Sequence, residues 1–135
     1  MEQLRFLTVM DIVALHEAAM EMSDQPATAL VRPESLESAV AQTKQLAWYM
    51  NAEAPELSVH LATRIALAHP WVDGNKRTAS LAGVHFAAIN GARDPDADDV
   101  IGFANHLLHY IECDHEAREV AFAEFVAFIE QWFPG

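Results

Sequence analysis

The dozen residues HPWVDGNKRTAS, His69 to Ser80, gather an imidazole, a carboxylate, a turn glycine, two adjacent cations and two hydroxyls. Gly74, Asn75, Lys76 and Arg77 fall where a helix should begin, and a helix start carries up to four backbone N–H groups without internal partners and the positive end of the dipole. Anions settle at such places. Gly74 permits a tight turn and close approach of backbone to a ligand, Lys76 adds a point charge, and Arg77 adds a planar fork matched to phosphate oxygens. Asp73 would repel a bare phosphate, but a carboxylate beside a polyphosphate can hold the Mg2+ that bridges its oxygens. His69, across the short loop, can take a proton from an attacking hydroxyl. Proton acceptor, metal ligand and phosphate cradle then lie within nine residues. Residue types alone are more often those of a polar loop with a capping Asp and solvated cations, so the weight falls on the spacing.

Apolar residues recur at helical spacing along nearly the whole chain, with no internal repeat, low-complexity tract or flexible linker. Thr8 and Asp11 form an approximate capping box for a first helix whose buried face is expected to carry Ile12, Leu15, Ala19 and Met22. Pro33 opens a second helix, carrying Leu36, Ala39, Val40, Thr43, Ala47 and Met50 and ending near Asn51. Residues 56–69 are apolar almost all round, as in a central helix, and Pro70 should stop that helix at His69. A fourth helix is expected over 75–90, with Gly91 as its stop. A fifth, capped by Asp94 with Pro95 in its first turn, should reach about Ile111, and a last one over 114–133 should bury Phe122, Phe125, Ile129 and Trp132. Leu4 to Leu7 is the one candidate strand. His16, His60 and His85 sit inside helices at no ligand spacing, as structural residues would.

The 135 residues, 52% of them apolar, suit one domain spanning 1–135. A single cysteine, Cys113, precludes an internal disulfide, and the N-terminus lacks the basic and apolar regions of an export signal; a cytoplasmic protein is expected. The longest uncharged run, Thr78 to Ala92, is shorter than the roughly 20 apolar residues of a membrane span, so no membrane partner is expected. Eight Lys and Arg against 20 Asp and Glu give 8 − 20 = −12, a field that repels a phosphate backbone and argues against direct nucleic-acid binding. Against that scarcity of cations, the adjacency of Lys76 and Arg77 is informative.

HPWVDGNKRTA resembles the signature of the Fic/Doc superfamily and is closer to its Doc (death-on-curing) branch; LVRPESLESAV upstream is similar to a segment of Doc-like proteins. Trp71 stands where phenylalanine is usual, as a buried aromatic anchor. The resemblance implies an all-α fold, a compact Fic/Doc-type bundle of about six helices. It implies that His69 activates a target hydroxyl, that Asp73 holds Mg2+ or orients substrate, and that Gly74, Asn75, Lys76 and Arg77 bind the phosphates of ATP. In the adenylylating Fic branch the position of Lys76 is glycine and that of Ser80 a second arginine, so both departures favour transfer of the terminal phosphate over AMP. Doc-like proteins of the Lys form are associated with phosphorylating a threonine of translation elongation factor Tu. Some Fic relatives carry an inhibitory Ser/Thr-x-x-x-Glu-Gly/Asn helix in the same chain, and no Glu here precedes Gly or Asn. The resemblance thus implies a toxin restrained by a separate antitoxin with a disordered tail. The alternatives are a Fic-type adenylyltransferase and an inactive nucleotide- or partner-binding module.

Two other patterns invite a metal. His106, His109 and Cys113 share a helical face, with His115 beyond, but no second Cys or carboxylate stands at zinc-ligand spacing. Asp94, Asp96 and Asp98 imitate a calcium loop whose required Gly is Asp99 and whose closing Glu is Asn105; helix capping accounts for them better.

Overall fold

The computed structural model describes residues 3–135 and is all-helical: α1 (Val9–Glu21), α2 (Pro33–Tyr49), α3 (Ala54–Ala68), α4 (Asn75–Ile89), α5 (Ala97–Glu112) and, after a single 3₁₀ turn at His115–Ala117, α6 (Arg118–Glu130). The Thr8 hydroxyl accepts from the Asp11 N–H and the Asp11 carboxylate accepts from the Thr8 N–H, closing the capping box that starts α1. Those hydrogen bonds, the backbone one foremost, hold the Asp11 carboxyl below its ordinary range.

The central position expected of the third helix is found: α3 packs against α2, α4, α5 and α6 and buries Leu57, Val59, Leu61, Ala62, Ile65 and Ala66. Its buried hydroxyls are satisfied, Thr63 by the Val59 carbonyl at 2.9 Å and Ser58 by the Gly83 carbonyl of α4 at 2.7 Å. The α3–α4 contact is close because Gly83 has no side chain; a Cβ there would collide with Phe103 of α5 and crowd Ala62. Phe103 is fully buried, edge-on to Phe125 of α6 at 4.8 Å, and burial of such a ring contributes about 2–3 kcal/mol. Around this frame α1 lies on α4, which fixes one wall of the loop between α3 and α4.

The structure corrects several sequence expectations. Leu4 to Leu7 forms no strand, because the Arg5 backbone N–H and carbonyl pair with the Asn90 side chain instead of a second strand. The cap of α5 is Asp96, not Asp94: Asp96 and Asp99 exchange side-chain and backbone bonds, Arg93 forks onto Asp99, and Pro95 lies ahead of the helix. Met22 and Met50, at the C-terminal caps of α1 and α2, are exposed, while His16 and Met20 occupy the buried face of α1. The only β-type pairing among the described residues is an isolated antiparallel bridge, Leu30 to Trp71, tying the α1–α2 connection to the α3–α4 loop. No helix of the described residues is long and apolar enough to cross a membrane.

Candidate active site

Pro70 ends α3 as expected, and His69 becomes its C-terminal cap in the left-handed region, φ 48° and ψ 59°. That conformation turns the chain sharply out of the helix and leaves the His69 side chain exposed at the rim of the loop. Arg32, at the start of α2, donates from Nη1 to the His69 carbonyl at 2.8 Å, satisfying an end carbonyl of α3. The backbone N–H groups of Val31 and Arg32 both reach the Pro70 carbonyl, at 2.8 and 3.0 Å, and Val72 N–H reaches the Ala29 carbonyl at 3.3 Å. The α1–α2 connection therefore holds the loop along its whole near side.

Trp71 is buried and stacks on His16 of α1, ring centroids 4.4 Å apart and planes 4° from parallel. Asn75, also buried, accepts from the Trp71 N–H and donates to the Trp71 carbonyl, both at 2.8 Å. With both ends of its amide engaged, Asn75 braces the loop from inside, and what it offers an anion is its backbone N–H. Gly74 caps α4 at φ 82°, a turn that favours glycine, but the close approach it permits is to α1: a Cβ there would collide with Met20 Sδ and stand 3.4 Å from His16 Nε2.

Asp73, exposed, accepts the Gly74 N–H on Oδ1 at 2.8 Å, leaving its second oxygen toward solvent. Helix α4 starts without a side-chain cap; its first internal bond is Thr78 N–H to Gly74 O, and among the described residues the N–H groups of Asn75, Lys76 and Arg77 have no hydrogen-bond partner. Lys76 and Arg77 are exposed and, among the described residues, form no ion pair, although acids outnumber bases 20 to 8; Arg93–Asp99 is the one such pair. His69, Asp73, Gly74, Asn75, Lys76 and Arg77 line, with Val72, one depression of about 370 Å³. All six residues expected from the sequence are thus brought together, five by side chain or cap and Asn75 by its backbone.

A protein-family model described as the Fic/DOC family matches residues 6–87, well over half of the chain. The chain belongs to the Fic/Doc family. No curated protein gives a significant match. Fic/Doc membership supports a nucleotide-using, protein-modifying transferase, and the depression at the start of α4 has the donors for it: three unpartnered N–H groups, two unpaired cations and a carboxylate with a free oxygen. In this Fic/Doc domain the α1–α2 connection contributes Thr28, Arg32 and the bridge to Trp71, none of which residue-type reasoning singles out; the resemblance of LVRPES pointed to the stretch holding Leu30 and Arg32, and nothing pointed to Thr28.

A second recess of about 490 Å³ opens beside Lys76 and Arg77, lined by Ala19, Ser80, Leu81, Val100, Leu107 and Leu108. The histidine-rich face of α5 does not hold a metal cluster: His106 lies against Phe125 and Phe128, Cys113 Sγ contacts the Tyr110 carbonyl, and the described residues contain no group of three or more metal-binding side chains.

Proposed function

We propose that this Fic/Doc domain is a Doc-like toxin that transfers the terminal phosphate of ATP to a protein hydroxyl, a threonine of translation elongation factor Tu, and so blocks translation. The observation that carries the proposal is the pairing of His69 with two uncompensated cations and three open N–H groups around one depression. His69 takes the proton of the target hydroxyl as its oxygen bonds to the γ-phosphorus, while the bond from that phosphorus to the β–γ bridging oxygen breaks and ADP departs. Lys76, Arg77 and the α4 amides hold the phosphate oxygens. Asp73 fits Mg2+ through its free oxygen, since Mg2+ sites of this type use one or two carboxylates plus phosphate oxygens; when bound, the ion neutralises charge on those oxygens.

Two features favour phosphate over AMP transfer. Lys76 fills the position where the adenylylating branch has glycine, and Ser80, buried at one turn's distance, supplies no second guanidinium. Restraint would come from an antitoxin segment, an amphipathic helix with an acidic end. The recess beside Leu81 and Leu107 suits its apolar face, and Lys76 and Arg77 at the mouth suit its carboxylates.

Purified protein with Mg2+, elongation factor Tu and ATP labelled at the γ- or α-phosphate separates the readings. Transfer of γ-label alone is expected, with at least a 10²-fold loss in His69→Ala and an unchanged circular dichroism spectrum. Transfer of α-label would make the protein an adenylyltransferase. ATP binding without transfer of either label would leave a binding module.

A further inference from the structure

We infer that His16 of α1 and Thr28 of the α1–α2 connection are positioning residues that clamp the peptide of Asp73 and thereby hold the whole loop from Trp71 to Gly74 in register with His69 and the start of α4. The inference rests on the reading of that loop as the nucleotide site, but its structural half can be measured on the protein alone.

His16 is a titratable side chain only 1% exposed, and the proposed chemistry makes no use of it. Its Nε2 lies 3.0 Å from the Asp73 carbonyl and 3.3 Å from Thr28 Oγ1. Thr28 Oγ1 is in turn 3.1 Å from the same carbonyl and 3.3 Å from the Asp73 N–H. These contacts settle where the hydrogens go. The carbonyl only accepts, the Thr28 hydrogen is directed at it, and the Asp73 N–H donates to the Thr28 oxygen; Nε2 completes the set only as a donor. His16 therefore carries its hydrogen on Nε2, and both the backbone N–H and the carbonyl of Asp73 are engaged by side chains from outside the loop.

The same ring lies flat on Trp71 and borders Gly74, so one residue touches the loop at its beginning, tip and end. Helical spacing puts Met20 one turn along on the same face, and His16 and Met20 together form the floor against which Gly74 is pressed. Without His16 and Thr28 the exposed tip, Val72 and Asp73, would keep only the Ala29–Val72 hydrogen bond to the rest of the protein, because the Trp71 and Gly74 amides bond within the loop and its helix. A loop free to pivot would carry the Asp73 carboxylate away from Lys76 and Arg77.

Each of the four amides from Trp71 to Gly74 has a hydrogen-bond acceptor, so each reports opening by hydrogen exchange. Thr28→Val keeps side-chain volume and removes the hydroxyl; His16→Phe keeps the ring against Trp71 and removes the donor. In both variants the four amides should exchange about tenfold faster as one group, with α3 and α5 protection unchanged, and Thr28→Ser should restore the original rates. Calorimetry with Mg2+ and ATP should show affinity lowered about tenfold in Thr28→Val and recovered in Thr28→Ser.

Faster exchange at Asp73 alone would mean a single lost bond and no clamp, and an equal rise through α3 and α5 would mean loss of global stability; either result overturns the inference, as does an unchanged loop. Should the unaltered protein bind no ATP, the proposed function fails, and the exchange pattern still decides the clamp.

Discussion

Gly74 shows how one residue can be required for two unrelated reasons. Its φ of 82° disfavours any Cβ, and the place a Cβ would occupy is taken by Met20 Sδ. Gly91 separates the two causes, since it also has positive φ, 107°, yet a Cβ there would meet nothing nearer than Phe133 Cδ2 at 3.9 Å. Gly91→Ala should therefore cost about 1–2 kcal/mol from backbone strain, and Gly74→Ala about 2–4 kcal/mol from strain plus overpacking. Urea unfolding of both, together with Gly74→Ala/Met20→Ala, checks this: the double variant should lose less than the sum of its parts, because the collision is removed with the methionine. Equal costs at the two glycines would show that α1 does not press on the loop. At this scale the sequence was readable where a residue acts through its own chemistry and opaque where it acts through a distant partner. His69, Asp73, Lys76 and Arg77 could be selected from type and spacing. The roles of His16 and Thr28 depend on contacts across 57 and 45 positions of chain, which no local pattern records, while Asn75 turns its amide onto the backbone of Trp71 four residues away instead of outward as its type suggested.

Among the elements, the helices announced by a local stop or start signal fall where expected: Thr8 with Asp11, Pro33, and Pro70 after His69. The last helix, expected over 114–133, is split into a 3₁₀ turn and α6, and the start of α5, the other boundary that moved, was decided between two similar candidates. Asp94 and Asp96 are equally good caps by type, and the choice of Asp96 follows from its reciprocal bonds with Asp99, whose carboxyl is pulled down to about 2 by the Arg93 guanidinium first and the Asp96 N–H second. Asp96→Ala should lower stability by about 1 kcal/mol in thermal or urea unfolding, and Asp94→Ala by no more than about 0.5 kcal/mol. The α3–α6 contact holds a different sensitivity. His60 of α3 lies 4.6 Å from the Phe122 ring of α6, and burial, with a smaller contribution from Arg64, pushes its pKa down to about 4. A folded-state pKa below the ordinary imidazole value means that the unfolded chain binds the proton more readily. The stability contribution is complete above about pH 6.5 and is lost as pH falls toward 4. Because His60 is only half-buried, solvent screening limits the loss to about 1–2 kcal/mol. Comparing urea midpoints at pH 7 and 4.5 for the natural protein and His60→Gln isolates it from the carboxylates, which titrate in both. The variant should show the smaller acid-induced drop; parallel drops would place the His60 proton outside the folding equilibrium.

For the molecule as a whole, the −12 charge and the two unpaired cations act on an incoming nucleotide with opposite sign and different range. At about 0.01 M ionic strength the screening length is roughly 30 Å, so the excess of carboxylates across the whole surface is felt and a negatively charged nucleotide is repelled. At about 0.15 M it is roughly 8 Å, which hides most of that field and leaves Lys76, Arg77 and the α4 amide end as the dominant local charges. The association rate of Mg2+-bound ATP, followed by stopped flow with a fluorescent analogue, should accordingly rise between these two salt concentrations. Near 1 M, where screening reaches about 3 Å, the attraction is shielded as well and the rate should fall again. A site surrounded by its own basic patch would slow monotonically with salt, and that behaviour here would mean that Lys76 and Arg77 are not an isolated pair. Removing both cations, in Lys76→Gln/Arg77→Gln, should abolish the high-salt decline while keeping the low-salt rise, since the acidic field is untouched. The maximum at intermediate salt is therefore the solution signature of a cationic site set into an acidic protein, and its loss in the double variant assigns that site to the start of α4.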